Sequence, residues 1–180
     1  MKKENINKIF ESVASKYDLM NDLMSFGLHR NWKKKIVDLI ELKSKKKNII
    51  LDLGCGTGDI FNEIMKKPSF HNNYLGCLVD PNIEMMNYGL KKLKSKNLVW
   101  LASYGEKLPF KNNTFDLVTM SFSLRNVENL NITLNEISRV LKKNGQFLCL
   151  EFGKVDNLAI NTIYKIYSDN FIPMIGKKIA

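Results

Sequence analysis

The sequence predicts an α/β protein whose strands form a doubly wound, mainly parallel sheet. Two observations support this prediction: short apolar segments recur along the chain, and amphipathic segments of about 10–15 residues separate them. Right-handed crossovers then place helices on both faces of the sheet and leave few alternative topologies. Ligands of such sheets bind at the carboxyl ends of the strands, which is where we expect the chemistry to lie.

The first quarter of the chain is predicted to be helical. Apolar residues follow helical spacing over Ile6–Tyr17 and again over about Trp32–Leu42. The residues expected on one side of the second helix are Trp32, Ile36, Leu39 and Ile40. The segment Lys43–Lys47 is a run of charge and is interpreted as a solvated loop.

From Asn48 onward, predicted strands alternate with predicted helices. The strands are Asn48–Gly54, Tyr74–Asp80, Leu98–Ser103, Phe115–Phe122 and Gly145–Phe152. The helices comprise one around Ile60–Met65, one opened by Pro81 and Asn82, one from about Leu130 to Leu141 that stops at Asn144-Gly145, and an amphipathic segment at Leu158–Phe171. Because no linker or repeat divides the chain, residues 1–180 are predicted to form one domain with its core at 48–152.

Composition excludes several classes of protein. The chain has 180 residues, of which 44% are hydrophobic and 26% charged, which is ordinary for a globular domain. No apolar run approaches the roughly 18 residues needed to span a bilayer. Three separated cysteines and two histidines argue against a disulfide framework and against a Cys/His zinc cluster, so no metal site is predicted.

The net charge of +10 raises the possibility of a nucleic-acid or anionic-membrane partner. Of the 28 basic residues, only three are arginine: Arg30, Arg125 and Arg139. Arginine is the residue best suited to bidentate contacts with phosphates and bases. The charge is therefore interpreted as a lysine-rich solvated surface, and no nucleic-acid partner is expected.

The strongest chemical signal is the segment Leu51–Asp59, LDLGCGTGD, which carries a strand into a glycine-rich turn and then into a helix. Glycines allow the backbone to turn sharply and to approach a ligand closely. The candidate cofactor-binding residues in this segment are Asp52, Gly54, Gly56, Thr57 and Gly58. Asp80 ends the next strand, where an acidic side chain can bind the hydroxyl groups of a ribose.

The spacing of the glycines favours one adenosine cofactor over others. The turn reads G-x-G-x-G after an acid at Asp52, whereas the dinucleotide fingerprint is G-x-G-x-x-G and a phosphate-binding P-loop needs a following Lys-Ser or Lys-Thr. The methionine end of S-adenosyl-L-methionine carries an ammonium and a carboxylate instead of a pyrophosphate. We therefore expect S-adenosyl-L-methionine, with a nicotinamide dinucleotide as the less favoured alternative.

Several longer segments resemble the ubiquinone/menaquinone biosynthesis C-methyltransferase family over nearly the whole chain. They are IFESVASKYDLMNDLMSFGLHRNWKK, LDLGCGTGD, GEKLPFKNNTFDLVTMSFSLRNV and ISRVLKKNGQFLCLEFGK. The resemblance implies the Rossmann-like fold of class I methyltransferases, with residues 1–47 as a helical substrate cap. It also implies methyl transfer from S-adenosyl-L-methionine to a ring carbon of a polyprenylated benzoquinol or naphthoquinol.

The resemblance also implies roles for individual residues. Cofactor contacts map onto Thr57, Asp80, Ser121 and the pair Tyr104 and Gly105 beside the adenine, where Tyr104 replaces the family's usual Asp or Asn. The S-F-x-L-R-N segment of the substrate pocket supplies Arg125 and Asn126, and Tyr17 is expected to face them. Because the pKa of arginine exceeds about 12, Arg125 is expected to hold a phenolate or orient a water molecule instead of acting as a base.

Two further titratable residues, His29 and Glu151, each have two possible roles. His29 has the pKa range of a general base but stands at a predicted helix junction, where a capping or core hydrogen bond is the commoner role. Glu151 closes the fifth strand, where it either faces the pocket or caps the next helix.

The resemblance also implies that family members continue beyond IPMIGKKIA for roughly another third of their length, with a helix and an antiparallel strand pair. We therefore expect a C-terminal truncation that removes these elements and shortens the helical segment 153–180. The fifth strand is then an uncovered edge unless a partner covers it.

Two alternative functions remain: a non-catalytic subunit of a quinone-biosynthesis complex, and an RNA methyltransferase. The expected partners are a polyprenyl quinol at a membrane surface and a biosynthetic complex or homodimer. The expected location is the matrix side of the mitochondrial inner membrane in a eukaryote, or the cytoplasm in a bacterium.

Overall fold

The computed structural model describes Asp22, Ser25 and residues 27–42, 47–68 and 74–153. The chain divides into two compact units, one of residues 32–151 and one of residues 1–31 together with 152–180. The helices predicted at Ile6–Tyr17 and Leu158–Phe171 lie outside the described residues, as does most of the segment Lys43–Lys47. The predicted division into segments 1–47, 48–152 and 153–180 stays a prediction.

A five-stranded parallel sheet forms the centre of the larger unit and confirms the predicted fold class. Its strands are β1 (Asn48–Leu53), β2 (Tyr74–Asp80), β3 (Leu98–Ala102), β4 (Phe115–Ser121) and β5 (Leu141–Leu150). Their order is β3-β2-β1-β4-β5, and every neighbouring pair is parallel. The chain moves outward from β1 to β3 and then returns to β4 on the other side of β1. This change of direction places a topological switch point, the usual ligand site of such sheets, beside β1.

Helices cover both faces of the sheet. They are α1 (Leu28–Asp38), α2 (Asp59–Met65), α3 (Ile83–Lys92) and α4 (Leu130–Val140), with a short 3₁₀ helix at Leu124–Asn126. Helices α1, α2 and α3 pack on one face against a core that includes Ile50 and Leu117. Helix α4 packs on the other face against Leu51 and Leu53. Because side chains alternate along β1, consecutive apolar residues serve both cores.

Helix α1 lies four residues earlier than predicted, over Leu28–Asp38 instead of about Trp32–Leu42. It begins after Gly27, whose φ of 74° favours glycine. Its buried residues are His29, Lys33, Ile36 and Val37. The prediction that Leu39 shares the buried side is wrong, since Leu39 is 62% exposed. The buried side carries a lysine and a histidine, which a search for apolar periodicity passes over.

Strand β5 begins four residues earlier than predicted. Helix α4 ends at Val140, within one residue of its predicted last residue, Leu141. The strand starts directly at Leu141, so the prediction that Asn144-Gly145 is a stop between helix and strand is wrong. Phe115 of β4 pairs with Leu141 and Leu117 pairs with Gln146, so Asn144-Gly145 belongs to a bulge inside the strand. Asn144 has a φ of 70°, which suits such an irregularity.

The edge of the sheet and the length of the helices concern what can lie next to the protein. Among the described strands, β5 pairs with β4 alone, so it is an edge of the described sheet. None of the helices within the described ranges is long and apolar enough to cross a membrane.

Replacing Ile64 in α2 with alanine tests the packing of the larger core. Ile64 is fully buried, so Ile64→Ala should lower the free energy of unfolding by about 2–5 kcal/mol, measured by urea denaturation. Ile132 of α4 is 46% exposed, and Ile132→Ala is the matched control because it makes the same change in another helix. The control should change stability by less than about 0.5 kcal/mol. Equal losses in the two variants would contradict the assignment of the core.

Candidate active site

One face of the sheet changes from apolar to polar as the strands approach their carboxyl ends. On the face that packs against α1–α3, the buried residues in the middle are Ile50, Leu78 and Leu117. The residue two positions later in a strand lies on the same face. Two positions later stand Asp52, Asp80 and Thr119, and Ser121 follows Thr119 in the same way. We call these four residues, Asp52, Asp80, Thr119 and Ser121, the polar edge.

The glycine-rich turn is tied to the end of β2 by backbone hydrogen bonds. The amides of Gly54 and Cys55 both donate to the carbonyl of Val79, at 2.8 and 3.1 Å. The amide of Gly56 donates to Asp80 Oδ2 at 2.8 Å. The turn therefore lies directly over the polar edge, where the sequence predicts a cofactor.

Two glycines of the turn leave no room for a side chain. Gly54 and Gly58 have φ values of 66° and 81°, which are left-handed and strained for other residues. A Cβ at Gly54 would lie 2.4 Å from Ser123 Oγ, and one at Gly58 would lie 2.6 Å from Leu93 Cδ1. Close packing as well as backbone conformation thus requires glycine at these two positions.

Asp80 shapes the turn in addition to its expected contact with a ribose. Its Oδ1 accepts a hydrogen bond from the amide of Asn82 at 2.8 Å, and its Oδ2 accepts the one from Gly56. Burial raises the pKa of the Asp80 carboxyl, and the two amide hydrogen bonds oppose that rise. Since a carboxylate oxygen can accept more than one hydrogen bond, the structural contacts leave capacity for a ligand.

Asp52 is the most deeply buried acid of the polar edge, at 1% exposure. Its Oδ1 accepts a hydrogen bond from Thr119 Oγ1 at 2.8 Å. Burial raises its pKa to about 7, although the Thr119 hydrogen bond and the charge of Lys33 act in the opposite direction. Within the described ranges, two buried side-chain oxygens lack a hydrogen-bond partner, Asp52 Oδ2 and Ser121 Oγ. Both belong to the polar edge, so a ligand that brings a hydrogen-bond donor, above all a cationic one, fits this place.

Asp59, the first residue of α2, lies at the centre of an ion-pair cluster that the sequence analysis missed. Its Oδ2 is 2.7 Å from Lys33 Nζ, and its Oδ1 is 2.9 Å from Lys92 Nζ. The hydroxyl of Thr57 also donates to Oδ1, at 3.3 Å. Burial alone would raise the pKa of Asp59, but the two lysines hold it well below its usual range. Thr57, which is a predicted cofactor contact, is buried, and its hydrogen bond to Asp59 places it at the edge of this cluster.

The residues predicted beside the adenine follow β3. Tyr104 is 45% exposed, and Gly105 lies against α4, where a Cβ would be 3.0 Å from Thr133 Cγ2. The hydroxyl of Ser103 donates to the carbonyl of Lys107 at 3.0 Å and closes this loop. The structure thus places the pair at the carboxyl end of the strand next to β2.

The structure brings Arg125 together with Glu151. Arg125 lies in the 3₁₀ helix after β4, and its Nη1 donates to Glu151 Oε1 at 2.6 Å. Glu151 follows β5, so the two residues meet where neighbouring strands end. Asn126 is exposed in the same 3₁₀ helix, and its amide donates to the carbonyl of Ser123 at 3.0 Å. Tyr17, the third predicted catalytic residue, lies outside the described residues.

His29 belongs to the smaller unit and is buried there. Its Nδ1 is 2.8 Å from Ser25 Oγ and 3.7 Å from Asp22 Oδ1. These contacts are of the kind that the core hydrogen-bond interpretation expects. Within the part of the chain that the structure describes, no group of three or more His, Cys, Asp or Glu residues is arranged to hold a metal ion.

Comparison with known proteins supplies a family and a fold. The model of the ubiE/COQ5 methyltransferase family matches residues 1–180. A protein of Rickettsia prowazekii named ubiquinone/menaquinone biosynthesis C-methyltransferase UbiE is 44% identical over 180 residues, which are 97% of this chain and 71% of that protein. The protein of the same name from Rickettsia bellii is 43% identical over 184 residues, which are 99% of this chain and 73% of that protein.

Solved structures support the fold alone, because their sequences are distant. A SAM-dependent methyltransferase from Aquifex aeolicus has a TM-score of 0.64 at 23% identity and covers 92% of this chain and 87% of its own. A protein of Methanococcus maripaludis described as a putative S-adenosyl-L-methionine-dependent methyltransferase has a TM-score of 0.66 at 16% identity. That match covers 89% of this chain and 72% of the other. The fold is therefore the Rossmann-like fold of these methyltransferases.

The raised pKa of Asp52 makes the stability of the cofactor-free protein depend on pH. The unfolded carboxyl loses its proton near pH 3.8, whereas the folded one keeps it until about pH 7. Asp52 therefore contributes stability that is fully present below about pH 4 and is lost as the pH rises through 7. Asp52→Asn removes this dependence. Between pH 4 and pH 8 the free energy of unfolding of wild type should therefore fall by roughly 4 kcal/mol relative to that of the variant.

Urea denaturation at pH values between 4 and 8.5 measures this difference. Asp38→Asn is the matched control, because it makes the same change at a side chain that is 71% exposed. Parallel stability profiles of wild type and Asp52→Asn would contradict the assignment of a protonated Asp52.

Proposed function

The chain belongs to the ubiE/COQ5 methyltransferase family, and from this membership we propose that it methylates a ring carbon of a polyprenylated benzoquinol or naphthoquinol. The methyl donor is S-adenosyl-L-methionine, in keeping with the family and with the solved methyltransferases of the same fold. The reaction belongs to ubiquinone or menaquinone biosynthesis, as the names of the Rickettsia relatives indicate. The observation that carries the proposal is the match over the whole chain. The polar edge supports it, because its two unsatisfied buried oxygens suit a ligand with an ammonium group.

The residues present fit the cofactor. We assign the methionine end to the turn from Gly54 to Gly58, with Asp52 and Ser121 as acceptors for the ammonium. Asp80 then binds the ribose hydroxyls, and Tyr104 with Gly105 lies beside the adenine. When bound, the cofactor supplies a methyl group already activated on a sulfonium, so the protein has to align it and exclude water.

The remaining task of the protein is to make the ring carbon nucleophilic. Loss of the neighbouring phenol proton raises the electron density on that carbon. Arg125 cannot act as the base at neutral pH, but it can hold the phenolate oxygen or orient a water molecule that takes the proton. Glu151 fixes the direction of the guanidinium through the 2.6 Å hydrogen bond. We assign Asn126 and Tyr17 to the same pocket, as the resemblance implies.

The substrate determines where the reaction takes place. A polyprenyl tail stays in a bilayer, so the ring has to be met at a membrane surface, where the basic surface of the chain would favour anionic lipids. The named relatives are bacterial, and we propose a cytoplasmic location for a bacterial chain. The matrix side of the inner membrane is the corresponding place in a eukaryotic cell. A biosynthetic complex or a homodimer is the proposed form of assembly.

Arg125→Met should lower kcat for methylation of a demethylated quinol by roughly 100-fold, because one stabilising donor to the developing anion is lost. The affinity for S-adenosyl-L-homocysteine, measured by calorimetry, should stay within about twofold. Transfer of the labelled methyl group into the extracted quinol measures turnover. Lys142→Met is the matched control, since it removes one positive charge from an ion pair with Asp116 away from this pocket.

The same assay separates the proposed enzyme from its alternatives. Turnover by the 180-residue chain excludes a non-catalytic subunit. Cofactor binding without turnover of any quinol would favour that subunit. An RNA methyltransferase would bind RNA in a manner that weakens steeply with salt, and quinol methylation would not follow that dependence.

A further inference from the structure

Lys33 is a buried lysine for which the family match and the proposed methyl transfer supply no role. Its residue exposure is 7%, and it lies on the buried side of α1 between His29 and Ile36. Lysine is almost never buried unless it is paired, because transfer of an ammonium out of water is costly. The partner of Lys33 is Asp59, whose Oδ2 is 2.7 Å from the lysine Nζ. This pair connects α1 with the first residue after the glycine-rich turn.

Asp59 holds three elements together at the start of α2. Lys33 reaches it from α1, and Lys92 reaches it from the last turn of α3. Thr57 Oγ1 also donates to it from within the turn. The backbone from Thr57 to Asp59 is therefore fixed by side chains from both neighbouring helices. A displacement of Lys33 would release one side of this anchor.

We propose that Lys33 is a positioning residue of the cofactor site, which anchors the end of the glycine-rich turn through Asp59 and brings a buried positive charge to this side of the sheet. The proposal rests on the proposed function, because it assigns to Asp52 the ammonium group of S-adenosyl-L-methionine. It goes further by naming a residue that touches neither cofactor nor substrate and acts on the cofactor site through its ion pair with Asp59.

The groups that act on the pKa of Asp52 lie on β2, β4, α1 and α2. Burial raises the pKa of Asp52 most strongly, and the carboxylates of Asp59 and Asp80 raise it further. Thr119 donates a hydrogen bond, and Lys33 is the cation that lowers the pKa. The thiol of Cys55 is also buried there, and burial together with Asp80 and Asp52 raises its pKa well above the usual range. Lys33 and Asp59 thus form one ion pair but act on Asp52 in opposite directions.

This opposition gives a signature that a merely structural role does not produce. Lys33→Met removes the charge that favours the carboxylate, so the midpoint of the Asp52 titration should move above about 7. Asp59→Asn removes a charge that opposes the carboxylate, so the midpoint should move down. The double variant Lys33→Met/Asp59→Asn removes both charges, and its midpoint should return toward that of wild type. Loss of packing alone would not move the two single variants in opposite directions.

Carbon-13 NMR of the side-chain carboxyl groups in the cofactor-free protein measures these midpoints, with Asp52→Asn used to assign the signal. Lys67→Met is the matched control, since Lys67 also contacts α1, through the carbonyl of Val37 at 2.7 Å and through Asp38. Its midpoint should stay with wild type. Should one single variant not fold, the double variant and the remaining single variant still test the proposal. Unmoved midpoints in the folded variants would overturn it.

Binding of S-adenosyl-L-homocysteine, measured by calorimetry between pH 6 and pH 9, provides the second readout. In wild type the affinity should rise through about pH 7, since the ammonium of the ligand prefers the ionised Asp52. In Lys33→Met the same rise should occur at higher pH, with affinity at pH 7 about fivefold lower if the midpoint moves up by one unit and roughly 50-fold lower if it moves by two. A wild type that does not bind would contradict the proposed function. A wild type that binds, with an identical pH profile in Lys33→Met, would overturn the role of Lys33 alone.

Discussion

The charge balance at the polar edge constrains everything built around it. Three carboxyl groups, those of Asp52, Asp59 and Asp80, lie largely out of water, and the two lysines of the cluster are both engaged by Asp59. When all three carboxyl groups are ionised, one negative charge remains uncompensated among these five side chains. The protein has two ways to meet this cost: it can keep a proton on Asp52, whose pKa is about 7, or it can take up a cation. A ligand with an ammonium group would supply the cation, so under the proposed assignment of Asp52 the affinity for the cofactor and the stability of the cofactor-free protein depend on the same carboxyl.

The glycine-rich turn is closely packed beside these charges, and its shape is fixed by hydrogen bonds. The turn approaches the segment after β4 and the end of α3 so closely that a Cβ at Gly54 would overlap Ser123, and a Cβ at Gly58 would overlap Leu93. Asp52 is 1% exposed, and electrostatic interactions strengthen where water is excluded. The same backbone amides that close the turn are also held by Val79 and Asp80, so its shape is set before a ligand arrives. Preorganisation of this kind reduces the cost of ordering a site on binding.

The sequence predicted the strands and the acids at their carboxyl ends well, but it did not predict the buried pair of Lys33 and Asp59. A buried parallel strand is a continuous apolar run, so Tyr74–Asp80 was predicted with its observed bounds, and Asp80 with it. Helix α1 was displaced because its buried side contains Lys33, whose partner Asp59 stands 26 positions away. Periodicity within one helix carries no information about a partner in another. The start of β5 was misplaced because Asn144-Gly145, a common stop signal, occupies a bulge here. Tertiary contacts override local signals at both places.

The polar edge and the pair of Arg125 and Glu151 differ in burial, and the difference follows from the role that is proposed for each. The polar edge has to bind charge tightly, so its groups are buried and held by backbone amides. Arg125 has a side chain that is 49% exposed, and its ion pair with Glu151 is therefore worth little to stability. An exposed pair that contributes little stability can still restrict the rotamers of a long side chain, which lowers the entropy lost when a ring oxygen is bound. In the proposed reaction the phenolate needs that restriction more than it needs burial, since the proposed substrate carries a polyprenyl tail that stays in a bilayer. Under that proposal the cation has to lie where a strand ends and its side chain is exposed, which is the position of Arg125.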